Sequence, residues 1–280
     1  MQPAPPGTKL HRQGGVNIET IALVNQKGGV AKTTTAVNLG IGLVQAGKSV
    51  LLVDADPQGS LTSHLGHYPE DMPITISTLM QKVMGGEVTE PGEGIMHHSE
   101  GIDFIPANID LSVLERDLWS AARPMTVLAA VVEPLRQKYD YILLDCGPSL
   151  GILTLNVLAA ANSVLIPIQA EFQALRGSQQ LLGTVFRVRN HVNPDLSVKG
   201  IVMTMADTRT RHQREAIRDV RETFAGKLRV FKTVIPRSIA AADASAAGKS
   251  IFGYEPRNKV AHAYKQLVQE VLTLENRAKQ

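Results

Sequence analysis

Short apolar runs rich in β-branched residues recur along the chain, and each is followed by a longer stretch whose apolar positions repeat with helical spacing. The runs at 20–25, 49–54, 102–106, 141–145, 163–168, 197–205 and 231–235 predict strands. Helices are predicted to begin near Lys32, Asp110, Leu150, Leu175 and Arg211, with a last one over about 259–276. The run Tyr141-Ile142-Leu143-Leu144 is apolar at every position and stops at Asp145. A strand buried on both faces reads this way, so the alternation predicts an α/β fold: a mostly parallel sheet flanked by helices on both faces. No repeat or linker divides the chain. The expected organisation is a flexible tail at 1–17 and a single domain over 18–280. Residues 66–101, with Gly85-Gly86 and Pro91-Gly92, read as a surface excursion. His97-His98 within it read as solvated rather than metal-binding.

Composition narrows the class. The 280 residues are 44% hydrophobic and 20% charged, enough to bury a large core and too apolar for whole-chain disorder. The apolar stretch ending at Ile168 is broken by Asn162, Ser163 and Pro167, and no run reaches the roughly 20 residues of a membrane helix. The N-terminal residues have no apolar core of a signal peptide, so export is not expected. Cys146 is the single cysteine, which excludes an internal disulfide or a four-cysteine cluster from one chain and fits a reducing cytoplasm.

The formal charge of +3 hides an asymmetry. Residues 1–140 hold ten basic against fifteen acidic side chains, net −5, and residues 141–280 hold nineteen against eleven, net +8. Within 205–260 twelve Lys and Arg face six acids. Clustered cations gain affinity for a polyanion by releasing its counterions, so this half is a candidate nucleic-acid surface, or else a solvated charged face.

The most informative segment runs from Asn25 to Thr35, NQKGGVAKTTT, between the first strand and the first helix. A loop there aims backbone N–H groups and a helix N-terminus at one point, where a phosphate is stabilised. Gly28 and Gly29 permit close backbone approach, Lys32 supplies a point charge to the outer phosphates, and the Thr33 hydroxyl can ligate Mg²⁺. The standard pattern G-x-x-x-x-G-K-[ST] fails, because Gln26 and Ala31 occupy the two glycine places. The variant adds a second lysine, Lys27. Two acidic motifs follow later strands: Asp54-Ala55-Asp56-Pro57-Gln58-Gly59 and Asp145-Cys146-Gly147-Pro148. Carboxylates at such strand ends can hold the metal or orient an attacking water.

At these residues the sequence resembles the ParA family of deviant Walker-A ATPases, in its chromosomal and plasmid partition branch. The resemblance spans about 18–274 and includes NQKGGVAKTTTAVNLG, LLVDADPQG, YDYILLDCGPSLG, VLIPIQAEFQALRG and FKTVIPRS. It implies ATP and Mg²⁺ as ligands, with Lys27, Gly28, Gly29, Val30, Ala31, Lys32, Thr33 and Thr34 around the phosphates. Lys27 looks like the signature lysine that crosses to the partner's nucleotide, and Thr34 like a donor to the inner phosphate. Asp56 matches the acid that positions the hydrolytic water, and Asp145 the metal carboxylate, with Asp54 supporting it. Pro236, with Met205 beside it, matches the nucleotide-base loop. Two cations as close as Lys27 and Lys32 repel unless phosphates lie between them, which fits an ATP-sandwich homodimer.

The resemblance also implies nonspecific double-stranded DNA binding, a ParB-type partner that stimulates otherwise slow hydrolysis, and a nucleoid-associated place in the cytoplasm. Arg209 in Asp207-Thr208-Arg209-Thr210 matches a DNA-contacting arginine, while Arg218, Arg221, Lys249, Arg257 and Lys259 are companions placed by charge. Two departures from the family pattern stand out: Ala240 where relatives often carry a basic residue, and Gly147 for the first proline of the usual acid-x-Pro-Pro turn. A ParA-like ATPase that positions a protein cargo is an alternative. A MinD-like membrane ATPase would need the apolar stripe Tyr264, Leu267, Val268, Val271, Leu272 to lie on lipid, whereas docking on the chain's own domain explains that stripe better. A nitrogenase-type iron protein needs two cysteines per subunit, and a small-molecule ligase needs substrate-binding groups not recognisable here. The tail is too short for a helix-turn-helix domain, so operator-specific repression is not expected.

Overall fold

The first apolar run forms β1 (Glu19–Leu23) near the middle of an eight-stranded sheet, in a computed structural model that describes residues 18–171 and 174–278. The tail expected at 1–17 lies outside the described residues. The other strands are β2 (Val50–Ala55), β3 (Met96–His97), β4 (Asp103–Ile105), β5 (Tyr141–Cys146), β6 (Ser163–Gln169), β7 (Ser197–Ala206) and β8 (Val230–Pro236). Their order is β3-β4-β2-β5-β1-β6-β7-β8, and every pairing is parallel except β3 with β4. All seven expected strands are present, each within two residues of its expected limits; β2, β5 and β6, covered on both faces, are buried at almost every position, whereas β8 at the edge alternates.

The helices are α1 (Lys32–Gln45), α2 (Ser60–His64), α3 (Ile76–Met84), α4 (Asp110–Leu118), α5 (Val127–Val132), α6 (Ile152–Ala160), α7 (Ala174–His191), α8 (Arg211–Phe224), α9 (Ile239–Ala246), α10 (Ile251–Tyr254) and α11 (Lys259–Ala278). Alternation along β1 sends Ile21 and Leu23 to one core and Ala22, with Val24 just beyond, to the other. The first core is closed by α1, α2, α9, α10 and α11, the second by α3 to α8. Tyr264, Leu267, Val268 and Val271 of α11 are buried, Leu272 packs against them, and the Tyr264 hydroxyl lies 3.2 Å from Thr35 Oγ1. That stripe therefore belongs to the domain core. No helix among the described residues is long and apolar enough to cross a membrane.

The segment 66–101 departs from its reading as a surface excursion. Ile76, Leu79 and Met80 of α3 are buried in the second core, and β3 adds the antiparallel edge strand. Apolar residues at Ile76, Leu79, Met80 and Val83 have helical spacing that the flanking glycines and prolines obscured. The two histidines also separate, because successive side chains on extended backbone point apart. His97 is exposed beside Asp103, whereas His98 is buried with Nε2 3.1 Å from the Gly248 carbonyl oxygen.

Candidate nucleotide site

Parallel strands direct their C-terminal ends to one edge of the sheet, and the loops after β1, β2, β5, β6, β7 and β8 meet there. The loop after β1 turns through two left-handed residues, Gly29 at φ +69° and Ala31 at φ +61°. Ala31 is the N-cap of α1, so the position a glycine would occupy in the standard loop keeps the left-handed conformation with a methyl group on it. The loop is fastened on several sides. Asn25 Oδ1 accepts from the Lys27 amide at 2.9 Å, Thr204 Oγ1 donates to the Val30 carbonyl at 2.9 Å, and Gln169 Nε2 donates to the Gly29 carbonyl at 2.8 Å. Asn38 Nδ2 donates to the Thr34 carbonyl at 2.7 Å.

Lys32 is buried beneath the loop, its amine 3.4 Å from the Lys27 carbonyl oxygen. Thr33 Oγ1 donates to Asp145 Oδ2 at 2.6 Å, and Asp145 Oδ1 is buried with no partner among the described residues. Burial, followed by the neighbouring charge of Asp54, pushes the Asp145 carboxyl up to about 8. A hydroxyl and an unpartnered carboxylate oxygen, both hard oxygen donors, form a set that suits Mg²⁺, whose charge would offset the desolvation of Asp145.

Asp54 has a different part. Its Oδ2 accepts from the Thr62 amide at 2.9 Å and from Thr62 Oγ1 at 2.8 Å, and its Oδ1 accepts from the Asp56 amide at 3.2 Å. Burial still raises its carboxyl to about 6. With its oxygens taken by protein donors, Asp54 shapes the turn that presents Asp56. Asp56 is also mostly buried, accepting from the Gln58 amide at 3.0 Å. Gly147 packs directly on it: a Cβ there would lie 3.1 Å from Asp56 Oδ1.

Met205 has φ +52°, and its sulfur lies 3.4 Å from Gln169 Nε2. Pro236 ends β8 opposite Ala206, so Met205 and Pro236 stand on adjoining strand ends beside the phosphate loop. The basic residues are more dispersed. The Arg209 guanidinium grips Asp207 through Nε and Nη2, both at 2.8 Å, and Lys259 is close enough to help hold the Asp207 carboxyl down to about 2, behind the larger effect of Arg209. Arg218 and Arg221 lie on α8, Lys249 follows α9 with its backbone bonded to His64, and Arg257 precedes α11. All six are exposed.

Sequence reasoning passed over Gln169 and Glu171, which touch Lys27, and it did not single out Arg211 and Arg214. The latter share one exposed flank of α8 with Arg218 and Arg221, and the 3-4-3 spacing was the signal available. Arg214 Nη1 also donates to the carbonyls of Thr208 and Arg209, at 2.9 and 2.8 Å, steadying the Arg209 loop.

Residues 18–198 match a family model described as an AAA domain. The chain is 44% identical over 251 residues to the sporulation initiation inhibitor protein Soj of Bacillus subtilis, covering 90% of this chain and 97% of that protein. It is 40% identical over 260 residues to the chromosome partitioning protein ParA of Caulobacter vibrioides, with coverage of 92% and 95%. The solved structure of a cobyrinic acid a,c-diamide synthase from Mycobacterium smegmatis, with a bound ATP analogue and magnesium, is similar with a TM-score of 0.78 and 38% identity, covering 91% of this chain and 94% of that one. The loop geometry, the acidic strand ends and this likeness over nine-tenths of the chain agree, and the chain belongs to the Soj/ParA family of chromosome-partitioning ATPases.

Proposed function

We propose that two copies of this chain close around two ATP molecules, hold nonspecific double-stranded DNA in that state, and release it when a ParB-type partner accelerates hydrolysis. Lys32 and the backbone of Gly28 to Thr34 hold the phosphates, and Met205 and Pro236 flank the base. Thr33 and Asp145 hold Mg²⁺, which when bound neutralises charge on the phosphate oxygens. Asp56 orients the water whose oxygen bonds to the terminal phosphorus as the bond to the bridging oxygen breaks, giving ADP and phosphate. A switch of this kind works in the cytoplasm on the nucleoid, and its cargo is a chromosome or plasmid centromere. A protein cargo moved by the same cycle is the alternative.

The observation that carries this reading is the contrast between the two lysines. Lys32 lies buried under the loop, while the Lys27 side chain is 48% exposed at its rim, where a second protomer's triphosphate can reach it. Lys27→Ala is expected to bind ATP and lose ATP-dependent dimerisation. Light scattering that finds a normal ATP dimer in this variant would remove the reading.

The name of the Mycobacterium smegmatis neighbour favours a second reading, amide synthesis driven by ATP. A synthase that draws ammonia from glutamine commonly uses a cysteine thiolate, and the single cysteine here, Cys146, is buried with its thiol pushed up to about 12. ATP turnover that rises with DNA and partner, and not with a corrinoid and glutamine, separates the two.

A further inference from the structure

The Lys27 amine is held within its own protomer. It donates to Glu171 Oε2 at 2.6 Å and to Gln169 Oε1 at 2.9 Å. Gln169 is itself fixed, because its Nε2 donates to the Gly29 carbonyl of the phosphate loop and approaches Met205 Sδ. With the amide nitrogen committed to that carbonyl, the amide oxygen faces the amine. Glu171 stands two residues beyond the end of β6, and its side chain is 49% exposed, matching the 48% of Lys27. The pair therefore sits at the solvent-facing rim of the site, on the one lysine that a partner's nucleotide would need.

We infer that Glu171, oriented against the loop with Gln169, is a positioning residue that latches Lys27 in cis and sets how strongly dimer formation depends on the terminal phosphate. This rests on the proposed crossing of Lys27 to the partner's nucleotide. An ion pair open to water is weak, so it yields to a ligand that carries several negative charges within reach of one amine. A single carboxylate competes poorly with a triphosphate and better with a diphosphate, which has lost the outermost charges. The latch thus opens for ATP, and after hydrolysis Glu171 recaptures the amine and favours separation. Glu171 also places a negative charge where the partner's phosphates must come, which adds to the same selectivity.

The test compares wild type, Glu171→Gln, Lys27→Ala and the double variant by sedimentation velocity with Mg²⁺ and either ATP or ADP. Glu171→Gln keeps the shape and removes the charge. It is expected to lower the dimer dissociation constant in ATP roughly 3- to 10-fold, two latches being released per dimer, and to give a measurable dimer in ADP. Both gains should vanish in the double variant. Glu171→Asp, which restores a carboxylate, should return the ADP dimer toward the wild-type level. If wild type dimerises only in ATP and needs Lys27, yet Glu171→Gln matches it in both nucleotides, the latch is wrong and the sandwich stands. If Glu171→Gln melts early or loses ATP binding without a change in ATP-to-ADP selectivity, Glu171 is structural and the latch is also wrong. If Lys27→Ala dimerises normally, the crossing fails and the latch fails with it.

Discussion

Asp54 and Asp145 are register partners on the adjoining parallel strands β2 and β5, and both carboxyls are fully buried. Burial raises both above the ordinary carboxylate value of 3.8, Asp54 to about 6 and Asp145 to about 8. An acid whose folded pKa lies above its unfolded one keeps its proton longer in the folded state. Between those values the folded chain binds more protons, so stability falls as pH rises from about 4 towards about 8. Buried His64, whose imidazole is pushed down to about 4, works the other way below its ordinary 6.5, so the nucleotide-free protein is expected to melt at a lower temperature at pH 8 than at pH 6.5. Asp145→Asn should flatten that slope and stabilise the protein at pH 8 by roughly 1–3 kcal/mol. Added Mg²⁺ should raise the wild-type midpoint more at pH 8 than at pH 6 and leave Asp145→Asn unmoved. Calorimetric scans across this range check the set, and a flat wild-type profile would contradict it.

Gly147, at the place where the resemblance implies a proline, leaves little room for a Cβ. A methyl group there would stand 3.1 Å from Asp56 Oδ1, close enough to push the side chain by a few tenths of an ångström. Gly147→Ala is expected to lower the partner-stimulated kcat about 3- to 10-fold, because small misplacements of a water-orienting group are costly. ATP affinity should stay within about twofold, since Lys32 and Thr33 are untouched. Equilibrium binding beside single-turnover hydrolysis separates the two, and an unchanged hydrolysis rate would mean that Asp56 does not hold the water.

The phosphate loop and the central strand runs were legible because local chemistry dictates them: a phosphate needs glycines, lysine and hydroxyl at close spacing, and doubly covered strands need unbroken apolar residues. The short helix α9 left little trace, since its alanines carry no periodic contrast. Pairings set by the tertiary fold were not legible either. Lys27 meets Glu171 across 144 residues, and His98 meets Gly248 across 150. Nothing in either local sequence signals these contacts, which exist only once the parallel strand ends and the returning C-terminal helices are brought together.

Gly66 and Gly248 pack backbone to backbone. A Cβ on Gly248 would come 2.8 Å from the Gly66 α-carbon and 3.2 Å from its nitrogen, and Gly248 also has φ +64°. Neither backbone can retreat by rotating a side chain. Gly248→Ala is expected to cost roughly 2–3 kcal/mol, combining left-handed strain with overpacking. Gly47, at φ +82° with open space around its Cβ position, isolates the first contribution, and Gly47→Ala should cost only about 1 kcal/mol. Urea titrations of both variants give the comparison, and equal losses would show that the backbone contact contributes nothing beyond the dihedral strain.

Arg209 reaches any DNA with its guanidinium already shared, because Asp207 accepts from both Nε and Nη2 at 2.8 Å. The pair is exposed, so a phosphate can replace the carboxylate at little cost, while Arg214 holds the loop from behind. Arg209→Glu is expected to abolish retention of the ATP-bound protein on DNA at moderate salt while ATP binding persists. Asp207→Asn should do the reverse and tighten DNA binding, since it frees the guanidinium. The slope of log affinity against log salt becomes shallower by about 0.9 for each phosphate that is no longer neutralised. Arg218→Ala and Arg221→Ala should each change that slope if the exposed flank of α8 forms part of the same track. Salt-dependent retention on a nonspecific duplex measures all four. Unchanged binding in Arg209→Glu beside weaker binding in the α8 variants would move the DNA face from the Asp207 loop to the helix.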